Sequence, residues 1–93
     1  MIKSFADSET EKVFGRRFSK KLSGDIQAVA LRKLRMLNNA HAVNDLRSSP
    51  ANRLEKLSKD REGQHSIRIN DQWRVCFAWR GGDAHDVEIT DYH

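Results

Sequence analysis

The chain has 93 residues, 38% hydrophobic and 32% charged, which fits one small globular domain and excludes a disordered tail. Its single cysteine cannot form a disulfide within the chain, and no apolar run approaches membrane length, so we predict one cytoplasmic domain over residues 1–93 with no membrane contact. The net charge is +4, and residues 1–60 hold 13 Lys/Arg against 7 Asp/Glu, which indicates either a phosphate-rich or acidic partner or simply a solvated helix face.

The N-terminal segment predicts a short strand followed by a helix. Residues 2–5 alternate between apolar and polar side chains, as a strand would. Asp7 or Ser8 can then cap a helix, and we expect its apolar side to include Phe14 and Phe18.

The clearest helix is predicted over residues 25–41, where apolar side chains recur every three or four positions and Arg32, Lys33 and Arg35 lie largely on other sides. The basic segment 15–24, bounded by glycines, fits either a helix end or a loop. Residues 42–50 contain the only proline and are predicted to form a turn region.

The C-terminal third changes to a period of two, which is typical of strands. Residues 64–69, 72–80 and 86–93 each alternate. Asn70-Asp71 predicts a two-residue hairpin turn, and Gly81-Gly82-Asp83 predicts a second turn. The expected fold is therefore α+β in the order β-α-α-β-β-β, with two N-terminal helices packed on a twisted, mostly antiparallel sheet.

The alternation also assigns the faces of this sheet. We expect the helices to cover the face that carries the large apolar side chains Ile67, Ile69, Trp73, Val75 and Phe77. Arg74 would then project from the opposite face. The face used by Tyr92 and His93 depends on the strand register, which the sequence leaves open.

Several kinds of site lack sequence support. The four histidines and the cysteine show no metal-ligand spacing, and no glycine-rich phosphate-binding loop is present. We therefore predict no metal and no cofactor. Cys76 lies within an alternating segment, where a lone cysteine is usually a packing residue rather than a nucleophile.

The remaining polar residues suit metal-free cleavage of RNA by its own 2′-hydroxyl. That reaction needs a base, an acid and a fixed cation. Histidine can serve in either proton role, arginine binds phosphate oxygens, and tyrosine can donate a proton or stack on a base. The candidate residues are Arg74, Tyr92, His93, Glu55, Lys56, Lys59, Arg61, Arg68 and Arg80.

Each of these assignments has a purely structural alternative. Arg74 could be a cross-strand salt-bridge partner of Glu88, worth at most about 1 kcal/mol if exposed. Tyr92 could be a core aromatic, and His93 could be a disordered end residue. The residues by themselves do not decide between these alternatives and the nuclease.

Three motifs occur together in this sequence: Arg-Glu-Gly at 61–63, Asn-x-x-Trp-Arg at 70–74 and Asp-Tyr-His at 91–93. In this order and at this chain length, they resemble the HigB toxins, a branch of the RelE/ParE superfamily of bacterial toxin–antitoxin systems. The opening residues 1–5 are similar too, so the resemblance covers essentially the whole chain.

The resemblance implies a small RelE/ParE-like fold and a ribosome-dependent mRNA endonuclease that halts translation. It also implies a HigA-type antitoxin, usually a helix-turn-helix protein, which neutralises the toxin. Operator DNA would be contacted only through the toxin–antitoxin complex.

The resemblance further assigns roles to individual residues. Arg74 matches the family's phosphate-contacting arginine, and Tyr92 and His93 match the Tyr-His pair implicated in cleavage. Some members carry a histidine and a lysine where this chain has Glu55 and Ser58. Glu55 is therefore an alternative base, and nearby lysines could supply the missing charge. We expect Lys56, Lys59, Arg61 and Arg68 to bind substrate or ribosomal RNA.

Two other functions are compatible with the same sequence. A ParE-like inhibitor of DNA gyrase would keep the fold and need no acid–base residues, against which a Tyr-His ending argues. A non-catalytic module that binds RNA or an acidic protein would show strong salt dependence of binding and indifference to His93→Ala.

Overall fold

A computed structural model of the chain describes residues 1–57 and 63–91. Helix α1 (Ser8–Phe14) and helix α2 (Gly24–Asn39) come first, and 3₁₀ helices follow at Val43–Ser48 and Pro50–Asn52. The strands within these described ranges are β1 (Glu55–Lys56), β2 (Gln64–Arg68), β3 (Trp73–Arg80) and β4 (Asp83–Asp91). They form one antiparallel sheet in the order β1-β2-β3-β4. The predicted α+β class is therefore confirmed, and the sheet contains a short strand that was not predicted, at Glu55–Lys56.

The predicted first strand exists only as two isolated parallel bridges beside β4. They join Ile2 to Ala84 and Phe5 to Val87. Between them β4 carries a bulge, where Asp86 adopts a left-handed backbone with φ 53° and the register against β3 shifts. Because a bulge bends its strand and interrupts regular pairing, the N-terminal segment meets β4 at separate points rather than along a continuous ladder.

Helix α1 begins as predicted but ends sooner. Asp7 caps it, because its Oδ1 accepts a hydrogen bond of 2.7 Å from the Thr10 backbone N–H. Gly15 and a left-handed Arg16 (φ 61°) then end the helix. The expectation for Phe18 was wrong: it lies in the following loop with 72% of its surface exposed, instead of on the apolar side of the helix.

The core lies between α2 and one face of the sheet. Helix α2 ends at Asn39, two residues before the predicted limit, and His41 is exposed beyond it. The expected face assignment is confirmed for the central strands, whose apolar side chains are buried among those of the helices. The fully buried members are Ala30, Leu34, Leu37, Ile67, Val75, Phe77, Ala84 and Val87.

The hairpin between β2 and β3 is longer than the predicted two-residue turn. Residues 69–72 separate the strands, and Asn70 Oδ1 accepts hydrogen bonds from the backbone N–H groups of Gln72 (2.9 Å) and Trp73 (2.8 Å). The asparagine side chain thus takes the place of a backbone acceptor in the turn. The predicted turn region at 42–50 is likewise more ordered than expected, since most of it forms 3₁₀ helix.

Candidate active site

Arg74 lies on the sheet face opposite the core, as predicted, but it does not project into solvent. In the register it stands between Arg68 on β2 and Thr90 on β4, and directly opposed residues share a face. Only 6% of Arg74 is exposed. The segment that precedes β1 folds back against this face, which is why the arginine is enclosed.

The guanidinium of Arg74 is held from two sides. Its Nε donates to Ser66 Oγ at 2.7 Å, and its Nη2 donates to the Arg53 carbonyl at 2.6 Å and to the Ser66 carbonyl at 3.3 Å. Its Nη1 lies 4.0 Å from Glu55 Oε1. Because these contacts fix the plane of the guanidinium, its orientation is set. We call the face of the sheet that carries Ser66, Arg68, Arg74 and Thr90 the site face.

Glu55 is the one other predicted catalytic residue that the described ranges place beside Arg74. It lies on β1 directly opposite Ser66, so its side chain shares the face of Arg74. About half of this side chain is exposed (51%). A carboxylate in this position is open to a substrate hydroxyl while one of its oxygens faces a cation.

The structure places the two described RNA-binding candidates, Arg68 and Lys56, on opposite faces of the sheet. Arg68 lies directly opposite Arg74, which puts two cations side by side on the site face, and the Asp71 carboxylate binds Arg68. Adjacent like charges on a sheet repel each other; the Asp71 carboxylate offsets the charge of Arg68, and a phosphate bound between the two guanidinium groups would offset both. Lys56 is exposed but stands opposite His65, on the other face of β1 from the site.

Four predicted site residues lie outside the described residues: Lys59, Arg61, Tyr92 and His93. Tyr92 and His93 follow Asp91, the last residue of β4, directly in the sequence. The contribution of these four residues to the site stays a prediction.

Sequence reasoning missed two hydroxyl groups on this face. Ser66 is fully buried and supplies two of the three acceptors of Arg74 described above, its hydroxyl and its carbonyl. Thr90 stands opposite Arg74, and its buried Oγ1 has no hydrogen-bond partner among the described residues. The spacing of two residues between Ser66 and Arg68 could have indicated this, because an alternating strand places both side chains on one face.

His65 is a packing residue rather than part of this site. Its ring stacks on Phe77 with 6.0 Å between the ring centroids, and its buried Nδ1 has no hydrogen-bond partner within the described ranges. Burial lowers the pKa of His65, and the positive charges of Lys56 and Arg47 lower it further. We therefore expect a neutral imidazole at neutral pH.

The lowered pKa predicts a loss of stability in mild acid. Below pH about 6.5 the unfolded chain takes up a proton at His65 before the folded chain does, so the free energy of unfolding falls as the pH drops. Above that pH His65 is neutral in both the folded and the unfolded chain, so it no longer makes the free energy of unfolding depend on pH. Urea unfolding between pH about 7.5 and 5.5 measures the decline. His65→Gln should reduce it and the exposed control His41→Gln should not; an undiminished decline in His65→Gln would contradict the prediction.

The described part of the chain offers side-chain chemistry without a metal cluster. Residues 1–57 and 63–91 contain no group of three or more histidine, cysteine or acidic side chains placed to hold a metal ion.

None of the helices in these ranges is both long and apolar enough to cross a membrane. Cys76 is almost fully buried on β3, as a packing residue would be. A fixed guanidinium beside an accessible carboxylate is what the described site provides.

Comparison with known proteins identifies the same family as the sequence motifs. A family model described as the RelE-like toxin of the type II toxin–antitoxin system HigB matches residues 3–93. Toxin HigB-1 of Vibrio cholerae is 41% identical over 63 residues, which cover 68% of this chain and 66% of that protein. Endoribonuclease HigB of Proteus vulgaris is 30% identical over 94 residues, covering 100% of both.

A solved structure shares the fold at low sequence identity. A chain of the YoeB–YefM complex from Staphylococcus aureus superposes with a TM-score of 0.63, covering 100% of this chain and 98% of that one at 14% identity. This likeness concerns the fold alone. It agrees with the α+β architecture described above and with the resemblance drawn from the sequence.

Proposed function

Because this chain belongs to the HigB-like family of RelE-like toxins in type II toxin–antitoxin systems, we propose that it is a ribosome-dependent mRNA endonuclease. The observation that carries the proposal is the enclosed Arg74 guanidinium, held by Ser66 and Arg53 and lying 4.0 Å from the half-exposed Glu55 carboxylate. The endonuclease relative from Proteus vulgaris supports the reaction class.

In the proposed reaction, the 2′-oxygen of the RNA attacks the adjacent phosphorus and the bond to the 5′-oxygen breaks. Glu55 takes the proton of the 2′-hydroxyl, and His93 gives a proton to the departing 5′-oxygen. Arg74 stabilises the charge that develops on the phosphate oxygens. Tyr92 donates a hydrogen bond or stacks on a base. The products are a 2′,3′-cyclic phosphate and a 5′-hydroxyl, and no metal takes part.

The ribosome would supply the geometry of this reaction. Correct positioning of reacting groups contributes roughly 7–11 kcal/mol to lowering a barrier, so a toxin that acts on ribosome-held mRNA needs to add only charge and proton transfer. The basic excess in residues 1–60 supports docking on ribosomal RNA. Lys59 and Arg61, with Arg68 on the site face, would bind the phosphates near the cleaved bond.

An antitoxin partner follows from the family, and we propose that it is of the HigA type. Type II systems pair a toxin with an antitoxin, and the structural neighbour was solved in a complex with a second protein, YoeB with YefM. In this proposal the antitoxin neutralises cleavage and carries the contacts to operator DNA. The protein would act in the cytoplasm, where ribosomes and mRNA are present.

Purified ribosomes programmed with a defined mRNA test the proposal. We expect the wild-type chain to produce new mRNA ends with ribosomes and none on the naked mRNA, as mapped by primer extension. A single 2′-deoxy nucleotide at the mapped position should abolish cleavage there, because the attacking hydroxyl is gone. Cleavage that survives this replacement would contradict 2′-hydroxyl attack; growth arrest with DNA damage and intact mRNA would favour the gyrase inhibitor instead.

A further inference from the structure

A buried lysine from α2 lies behind the site without a carboxylate partner. Lys33 is 4% exposed, and its Nζ donates to Asn52 Oδ1 at 2.5 Å. Within the described ranges no acidic side chain forms an ion pair with it, and burial lowers its pKa, followed by the charges of Arg32 and Arg68. A buried ammonium without a counter-charge opposes folding, so the hydrogen bond to Asn52 is the contact that offsets part of this cost.

Asn52 is held on several sides at once. It is 1% exposed; besides accepting from Lys33, it donates from Nδ2 to the Leu46 carbonyl at 3.0 Å and to Met36 Sδ at 3.7 Å. Its backbone N–H donates to the Ser49 carbonyl at 3.0 Å. The position and orientation of Asn52 are therefore fixed from the helix layer of the molecule.

The next residue, Arg53, joins this anchor to the site. Its backbone is left-handed, with φ 43° and ψ 57°, a conformation that costs a non-glycine residue free energy and persists only where its surroundings impose it. In this conformation its carbonyl accepts the 2.6 Å hydrogen bond from Arg74 Nη2. Glu55 follows two residues later, so the same anchor sets the start of β1.

We propose that Lys33 and Asn52 are positioning residues, which hold the Arg53 carbonyl where it orients Arg74 toward the cleaved phosphate. The inference rests on the proposed function, since it assumes that Arg74 contacts that phosphate. It differs from a purely structural role in one respect: loosening the anchor must change the guanidinium of a chain that is still folded. A displacement of about 1 Å at a reacting group can lower a rate by about 10²-fold.

Lys33→Met tests this with little change of volume, because it removes the donor to Asn52 while the rest of the core stays filled. Ser19→Ala is the matched control: it also removes hydrogen bonds of a buried side chain, from Ser19 Oγ to Glu9 Oε1 at 2.7 Å and from the Lys21 N–H to Ser19 Oγ at 3.2 Å, but none of these bonds involves Arg74 or the strands beside it. Unfolding curves and circular dichroism identify a temperature at which both variants are folded.

At that temperature, two measurements are compared. We expect Lys33→Met to lower kcat on ribosome-bound mRNA by about 10²-fold with little change in KM. We also expect the Nε–H signal of Arg74 in ¹H–¹⁵N spectra to broaden and exchange faster with water. Ser19→Ala should match the wild type in both. Should Lys33→Met fail to fold, Asn52→Ala against the isosteric Asn52→Asp, which keeps an acceptor for Lys33, makes the same comparison.

A folded Lys33→Met chain with the wild-type Arg74 signal, or with wild-type kcat, overturns the inference and leaves a structural role only. A wild-type chain that does not cut mRNA on ribosomes defeats the proposed function instead. In that case the Arg74 signal still decides whether Lys33 and Asn52 position the guanidinium.

Discussion

Replacing Arg74 with lysine is expected to lower ribosome-dependent mRNA cleavage by about 10²–10³-fold, the range found when a preorganised donor to a developing charge is removed. Lysine keeps the positive charge but loses the planar fork of donors. One ammonium cannot donate to Ser66 and Arg53 as the guanidinium does and also remain directed at a phosphate. Initial rates on mRNA held by purified ribosomes measure the effect.

The lysine variant is preferable to alanine because Arg74 is enclosed. Arg74→Ala leaves the Ser66 hydroxyl and the Arg53 carbonyl without their donor, and an unsatisfied buried polar group costs about 1–3 kcal/mol. Lost activity could then reflect lost stability. Arg80→Lys is the matched control, because Arg80, a candidate by its chemistry, is exposed at the far end of the same strand from Arg74. Wild-type cleavage by a folded Arg74→Lys chain would remove the guanidinium from the mechanism.

Most of the fold was predictable because it follows from short-range patterns. The alternation in the C-terminal third gave the strands and the correct core face for Val75 and Phe77. Phe18 was misplaced because a left-handed backbone at Arg16 ends α1, and the sequence gives no sign of that conformation apart from Gly15. The bulge at Asp86 was missed because it too depends on a left-handed backbone at a residue other than glycine.

The candidate site was predictable only in part, because its support comes from distant segments. Arg74 was proposed from its chemistry and the strand period, and Glu55 from its chemistry and the resemblance to the HigB toxins. Their connection runs through Arg53 and Ser66, and a register is needed to see it. Lys33 gave one signal: it is a cation within an apolar helical pattern, although nothing in the sequence indicates that Asn52 is its partner.

Replacing His93 with alanine is expected to lower the cleavage rate by about 10²–10⁴-fold, the usual contribution of one general acid or base. His93 lies outside the described residues, so this prediction tests the role that the family resemblance implies for His93 and not a contact. The control is His85→Gln, which changes a histidine of β4 that stands opposite Ala78, away from Arg74. Single-turnover rates on ribosome-bound mRNA keep product release out of the comparison.

The pH dependence distinguishes proton transfer from mere packing at this position. Histidine titrates near neutrality, so a His93 that acts as the acid makes the wild-type rate fall as the pH rises through that region. In His93→Ala the fall should disappear together with most of the rate.

Tyr92→Phe keeps the ring and removes the hydroxyl, so a stacking role predicts little loss of cleavage rate and a hydrogen-bond donor role predicts a large loss. If His93→Ala keeps the wild-type rate and profile, the acid must be sought among residues such as Lys59, and Arg74 with Glu55 would carry the part of the reaction that this site face explains.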